Sequence, residues 1–400
     1  MHNPRQLLRA IGSGLAATLL SFTLLAVAAM PARAAETTLE VVHAMAALDG
    51  KGIDGPLVAG ADGLYYGTAT TGGKHDRGTL FRLRADGQFE VLHDFRGAPD
   101  DGDRPRGLVR GADGALYGLT LAGGAFDDGA AYRFDAQGKV KLLHSFDSAV
   151  DGRNPEGRLL QASDGRFYGA TRHGGADDVG TIFRMRANGQ VQSLHSFRLQ
   201  GEDGLYPTGS LVEGADGLLY GTTDRGGPQG NGTIYKMRRH SGDVHILHGF
   251  GRKDRNGTAL KALTAGPDGR FYGVIEADQQ DNPRGLVYRI DARGHYEVFH
   301  SFTPPVDVNG KNPFQELLLG RDGAFYGTTN SGGANGWGGT IFRLGLDGVL
   351  STLHSFGLDS PEGWFAATPL LEVADGEFLG ATAIGAAGDQ GAVYRLRVAP

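Results

Sequence analysis

The sequence predicts an all-β fold: a seven-bladed β-propeller of four-stranded blades, closed by an N-terminal strand that completes the last blade. Three observations carry this. Glycine supplies 67 of 400 residues, against roughly 7 % in ordinary chains. The string Asp-Gly-x-aromatic-Tyr-Gly recurs, with small variations, at Asp62, Asp113, Asp164, Asp216, Asp268, Asp322 and Asp375, in steps of 51, 51, 52, 52, 54 and 53 residues. A Leu-His-Ser-Phe motif closes only six of these units, at His93, His144, His195, His248, His300 and His354, and the missing copy stands at the other end of the chain. Competing explanations of the glycine fail. There are only 16 Pro and no Gly-X-Y period, which excludes collagen, and 40 % hydrophobic residues with 9 % aromatics exclude disorder.

The first element in chain order is a secretory leader over residues 1–34. Arg5 and Arg9 give a basic start, Ile11 to Met30 is an apolar run, and Ala32-Arg33-Ala34 is a small-x-small cleavage site. Cleavage after Ala34 is expected. The alternative is an uncleaved anchor, because the run approaches the ~20 residues that span a bilayer. Losing Arg5, Arg9 and Arg33 lowers the basic count from 39 to 36 against 45 acidic residues, so the net charge moves from -6 to -9. The mature chain, 35–400, is then one acidic exported domain, periplasmic or extracellular, with no membrane span, and is expected to be a monomer. An acidic chain does not suit nucleic acid, whose binding rests on clustered Lys and Arg. Zero Cys removes disulfides, thiolate metal sites and cysteine nucleophiles.

The second element is the borrowed strand. Leu39-Glu40-Val41-Val42-His43-Ala44-Met45 aligns with Phe89-Glu90-Val91-Leu92-His93-Asp94-Phe95, while the last unit stops at Val393-Tyr394-Arg395-Leu396 without its own histidine motif. A chain that begins with what its last repeat lacks closes a ring, whereas an open solenoid needs atypical capping repeats. The units themselves each divide into four strands, in the first case Pro56–Ala59, Leu64–Thr68, Thr79–Leu83 and Phe89–Phe95. Asp-Gly turns such as Asp62-Gly63 and Asp86-Gly87 make tight hairpins between first and second and between third and fourth strands. The connections from second to third strand and from blade to blade are longer and variable. Alternation puts both on one face, where variable loops on a rigid scaffold carry binding.

Each unit also carries a Gly-Thr-Ile-Phe-Arg motif, as at Gly78 to Arg82 and Gly339 to Arg343. Asp322 to Thr329, Gly332-Gly333, Gly339 to Arg343 and Leu353 to Phe356 together resemble the GloVer tandem repeat of exported bacterial proteins almost residue for residue. The resemblance covers nearly the whole mature chain. It implies an exported propeller-like protein and supplies no activity, substrate or catalytic residue. Such proteins are termed choice-of-anchor because many end in a sorting tail, whereas this sequence ends at Val398-Ala399-Pro400.

Seven-fold copies build the scaffold, and departures from them point to function. The repeated His is expected to tie neighbouring strands within a blade, the repeated Tyr to pack in the core with its hydroxyl satisfied, and Arg82, Arg133, Arg184, Arg289, Arg343 and Arg395 to be structural. On the long-loop face, five residues break the symmetry and form the candidate ligand site: Trp337 and Trp364, the two tryptophans of the chain, with Tyr206, His173 and His75. Paired aromatics suit stacking on sugar rings or gripping a protein partner. His75 and His173 sit in non-adjacent blades, so no shared metal is expected. Acidic residues recur in the blade-to-blade connections, at Asp101 and Asp103, Asp147 and Asp151, Glu202 and Asp203, Asp307, and Asp359 and Glu362; Ca²⁺ is one reading of them and turn formation the other. Blade five departs most, with Val274-Ile275-Glu276 and a polar loop from Ala277 to Arg284. No nucleophile elbow, HExxH or P-loop is present. The reading is therefore an exported, non-catalytic binding module for a glycan or protein partner, without a cofactor. A hydrolase or lyase with its site at the channel mouth, and a structural cell-envelope protein, are the alternatives.

Overall fold

The computed structural model describes residues 37–399 apart from 54, 136, 252–258, 277–283, 304–306 and 367; the leader assigned to 1–34 lies outside them. The fold is a seven-bladed β-propeller with four antiparallel strands per blade. In the third blade the strands are Arg153–Gln161, Phe167–His173, Thr181–Met185 and Val191–Ser196, running from the channel outward. The seventh blade has only three strands of its own, and Thr37–Ala44 supplies the outermost by pairing antiparallel with Ala392–Val398, from Thr37↔Val398 to Ala44↔Ala392. Closure by the N-terminal strand is thus a ladder of main-chain hydrogen bonds, which gives Ala392–Val398 a partner on both sides.

The innermost strand differs from its expected extent. In the first blade it begins at Lys51, not Pro56, and is split into Lys51–Ile53 and Val58–Ala59. Four further blades show the same split, and the two with continuous innermost strands shift register there, between Pro105 and Leu108 and between Glu156 and Leu160. Glycine allows the swerve. An added Cβ at Gly55 would lie 2.8 Å from the Gly107 backbone, so adjacent blades meet main chain to main chain around the axis.

The core lies between blades. Seven apolar clusters are found among the described residues, one per blade interface; Tyr66, Leu80 and Phe95 of the first blade, for example, pack on Leu108, Leu116, Tyr132 and Phe134 of the second. Glycine of the Tyr-Gly pair admits this packing: a Cβ at Gly169 would stand 2.6 Å from Phe183 Cζ. The repeated Tyr reaches back to the repeated Asp, with Tyr66 Oη donating to Asp62 at 2.7 Å and Tyr168 to Asp164 at 2.8 Å. Burial and the Asp62 carboxylate push the Tyr66 phenol up to about 12. Burial raises the Asp62 carboxyl, but the Tyr66 hydroxyl and the Leu64 N–H outweigh it and hold it below the usual range. The repeated arginines pair across strands, as in Arg82 with Glu90 and Arg343 with Asp322.

The repeated histidine corrects its expected partner. It joins the outermost strand to the connection entering the next blade: His43–Asp49 (2.9 Å), His93–Asp101 (2.9 Å), His144–Asp151 (2.6 Å), His195–Asp203 (2.5 Å) and His354–Glu362 (3.1 Å). The acid also collects backbone donors, Asp101 taking Arg96 N–H at 3.1 Å and Gly102 N–H at 2.8 Å. These carboxylates are therefore spent on folding the connections, and Asp103 goes to Arg77. Among the described residues no three His, Asp or Glu side chains gather as a metal site.

Candidate functional site

The channel mouth on the long-loop face is built by one backbone device repeated around the ring. Near the start of the innermost strand in six blades a residue takes positive φ, in five of them two positions after a positive-φ glycine: Gly52 (67°), Arg104 (55°), Asn154 (54°), Tyr206 (58°), Asn312 (56°) and Phe365 (63°). In all of these but Gly52 the N–H donates to the loop of the preceding blade, as Tyr206 to Val179 O and Phe365 to Gly338 O, both 2.9 Å. Gly and Asn adopt this left-handed region cheaply. Tyr206, Phe365 and Arg104 hold a conformation that costs a bulky residue about 1–3 kcal/mol, and such strain concentrates at ligand sites.

Below this crown is a cavity of about 330 Å³, within the range of roughly 300–1,000 Å³ typical of small-molecule sites. All seven blades contribute to it, but not equally. The third residue after the Tyr-Gly pair, which is Leu379-Gly380 in the last unit, reads Thr70, Leu121, Arg172, Asp224, Glu276, Asn330 and Ala383 around the ring, and of these Arg172 and Asp224 line the cavity. Blades three to six thus place charged or amide side chains where the other three place Thr, Leu and Ala. These four fall into two pairs: Arg172 meets Glu156 and Asp224, each at 3.3 Å, and Asn330 donates to Glu276 at 3.1 Å with Lys261 3.6 Å from Glu276. Aromatic rings flank them. The Arg172 guanidinium carbon sits 5.6 Å from the Tyr206 ring centroid, Lys261 Nζ 4.4 Å from that of Phe314, and Phe314 and Phe365 lie 5.3 Å apart. The floor is a bar across the channel: Arg158 of blade three, through Nε (3.1 Å) and Nη2 (2.9 Å), binds one oxygen of Glu316 in blade six.

Of the residues singled out from sequence, His173 and Tyr206 come together, edge to face at 5.3 Å. Beside them Arg153 holds the Asp178 carboxyl below its ordinary value, against burial and with help from Gly174 N–H and His173. Trp337 and Trp364 share the junction of blades six and seven, since Phe365 bonds Gly338, yet their rings go different ways. Trp337 is 63 % exposed with Lys311 Nζ 3.9 Å from its centroid, whereas Trp364 is half-buried against the cluster holding Phe378 and Tyr394. His75 is exposed on its own loop in the first blade. The blade-five loop lies outside the described residues from 277 to 283. Arg172, Asp224, Glu276, Asn330, Phe314 and the Arg158–Glu316 bar escaped sequence reasoning as site residues. Aligning the seven copies position by position is the signal that finds them.

No helix among the described residues is long and apolar enough to cross a membrane. A family model described as the Gloeobacter/Verrucomicrobia repeat matches residues 53–282 and 209–400. No curated protein matches. Among solved structures the chain is similar to the extracellular domain of a protein described as the hybrid two-component system BT3049 from B. thetaiotaomicron (TM-score 0.60, 11 % identity, covering 92 % of this chain and 41 % of that one). A second is the extracellular domain of a protein described as the one-component system BT4673 from the same organism (0.57, 12 %, 91 % and 42 %). A third is a protein described as a 6-phosphogluconolactonase from Bacteroides uniformis (0.50, 13 %, 75 % and 83 %). This chain spans about two-fifths of the length of the first two. At these identities the likeness shows the propeller fold alone.

Proposed function

We propose that this chain, which belongs to the Gloeobacter/Verrucomicrobia repeat family, is an exported, non-catalytic carbohydrate-binding propeller whose ligand enters the channel mouth on the long-loop face. The observation that carries the reading is the break in sevenfold symmetry: Arg172, Asp224, Glu276 and Asn330 stand where the other blades have Thr70, Leu121 and Ala383, Arg172 and Asp224 line one cavity with Lys261 and Phe314, and the Arg172 and Lys261 cations lie by the Tyr206 and Phe314 rings. Charges already paired within the wall suit a neutral, polyhydroxylated ligand. Its hydroxyls take the planar donors and acceptors of Arg, Asn and carboxylate, and its apolar ring faces lie on the aromatics. Trp337, exposed beside this mouth, extends the aromatic surface outward. Export rests on the leader sequence of residues 1–34.

Glycan-array screening of the mature protein, followed by titration calorimetry of the best saccharide, tests the reading. Tyr206→Ala and Arg172→Ala are each expected to weaken binding at least tenfold while the fold persists. Unchanged affinity in both folded variants, or capture of no saccharide, would contradict it. Cleavage of the bound saccharide by the wild type would replace binding with hydrolase or lyase chemistry.

A further inference from the structure

The Arg158–Glu316 bar divides the channel, and what lies beyond it differs in kind from the mouth. Toward the Asp-Gly hairpin face is a second cavity of about 400 Å³, to which all seven blades contribute. Its ring is Val58, Val109, Leu160, Val212, Leu318 and Leu371, with Thr264 completing the seventh position. Each follows a repeated Leu (Leu57, Leu159, Leu317 and their equivalents) that is fully buried between blades, while the ring residue itself is only half-buried. Strand alternation explains this: the Leu faces the interface and the next side chain leans toward the axis. An apolar wall left accessible is a cost that an apolar occupant removes, at ~25 cal/mol per Å².

The polar feature at the inner end says what that occupant carries. Of the seven positions just before the repeated Leu, which read Pro56, Gly107, Arg158, Ser210, Ala262, Glu316 and Pro369, only two are charged. Arg158 spends Nε and Nη2 on the single oxygen Glu316 Oε1, so its third nitrogen, Nη1, takes no part in that pair. Its side chain is 40 % exposed, and both cavities touch it. A guanidinium with donors to spare at the inner end of an apolar tube fits a carboxylate head on an alkyl chain.

We propose that the half-channel on the hairpin face binds a medium-chain carboxylate, with the alkyl chain along the Val/Leu ring and the head on Arg158. This site meets the saccharide mouth at the Arg158–Glu316 bar, which lines both cavities, while its apolar wall is its own.

Titration calorimetry of the mature protein with hexanoate, octanoate and decanoate is the test, with decanol and decylammonium as head-group controls. Affinity is expected to rise on the order of fourfold per methylene, and decanoate is expected to exceed both controls by at least tenfold. An Arg158→Gln/Glu316→Gln double variant leaves no lone buried charge, and it should bind decanoate and decanol alike. Val212→Trp, which fills the tube, should abolish binding of both, with the melting temperature reporting that each variant folds. Arg110→Gln, at the outer rim, should change nothing. Absence of decanoate binding, no chain-length gradation, decanol matching decanoate in the wild type, or a loss caused by Arg110→Gln would each overturn the proposal.

Discussion

Tyr206→Asn separates scaffold from site in one substitution. Tyr206 holds φ at 58°, which costs a bulky residue about 1–3 kcal/mol; Asn tolerates the region and occupies the equivalent positions 154 and 312. Against that relief stand the packing of the Tyr206 ring on the cluster between blades three and four and two ring contacts that Asn forfeits. The edge-to-face contact with His173 at 5.3 Å contributes about 0.5–1.5 kcal/mol, and the Arg172 guanidinium 5.6 Å from the ring centroid about 0.5–1 kcal/mol at a partly exposed site. The opposing effects cancel to within about 2 kcal/mol at the extremes of these ranges, so equilibrium urea unfolding should show no larger change in stability. Saccharide affinity, measured in parallel by calorimetry, should fall at least tenfold, which is ~1.4 kcal/mol. A stability loss above about 2 kcal/mol with affinity intact would refute the reasoning and make Tyr206 a packing residue.

Removing residues 35–45 deletes the strand that pairs with Ala392–Val398 together with the fully buried Met45; scanning calorimetry should show loss of the single cooperative transition, and an unaltered melting curve would count against ring closure. Gly169→Ala should destabilise by about 1–3 kcal/mol of overpacking, because the new Cβ meets Phe183 Cζ at 2.6 Å; a Gly169→Ala/Phe183→Leu pair should recover part of that loss in a double-mutant cycle. Burial holds His300 and His354 below the ordinary imidazole value of 6.5, against the opposing pull of Gly348 O and Glu362 respectively. Their folded pKa lies below the unfolded one, so the stability they contribute is complete above about pH 6.5 and is lost as pH falls through the lower folded values. Melting temperature should therefore drop from pH 7.5 to pH 5, and His354→Gln should flatten that dependence.

The ring, its blade count and its closure were legible because each rests on a repeated local pattern: Asp-Gly for a hairpin, Tyr-Gly for the second strand, Leu-His-Ser-Phe for the outermost. What repeats seven times is read seven times. The histidine partners were half legible. Spacings of six to eight residues separate His43 from Asp49 and His93 from Asp101, but histidine and acid read as separate features because the turn between them brings them together only in three dimensions. The innermost strand was misjudged because its swerve at Gly55 breaks the alternation on which strand recognition depends. The channel residues were hidden for another reason. Arg158 and Glu316 are 158 positions apart and meet only because blades three and six face each other across the axis, a relation no local pattern encodes. Trp337 and Trp364 stand out by rarity, yet the cavity is lined by Arg172 and Asp224, which are ordinary residues in unusual copies of a repeat.

The central claim, that the symmetry-broken mouth over blades three to six is the binding surface, is tested most directly by hydrogen–deuterium exchange of the mature protein with and without the saccharide selected on the array. The account predicts slowed exchange at 205–208, 260–262 and 314–316, with the Asp-Gly hairpins at 61–63 and 112–114 unchanged. Protection confined to the hairpin face, or spread evenly over all seven blades, would contradict it.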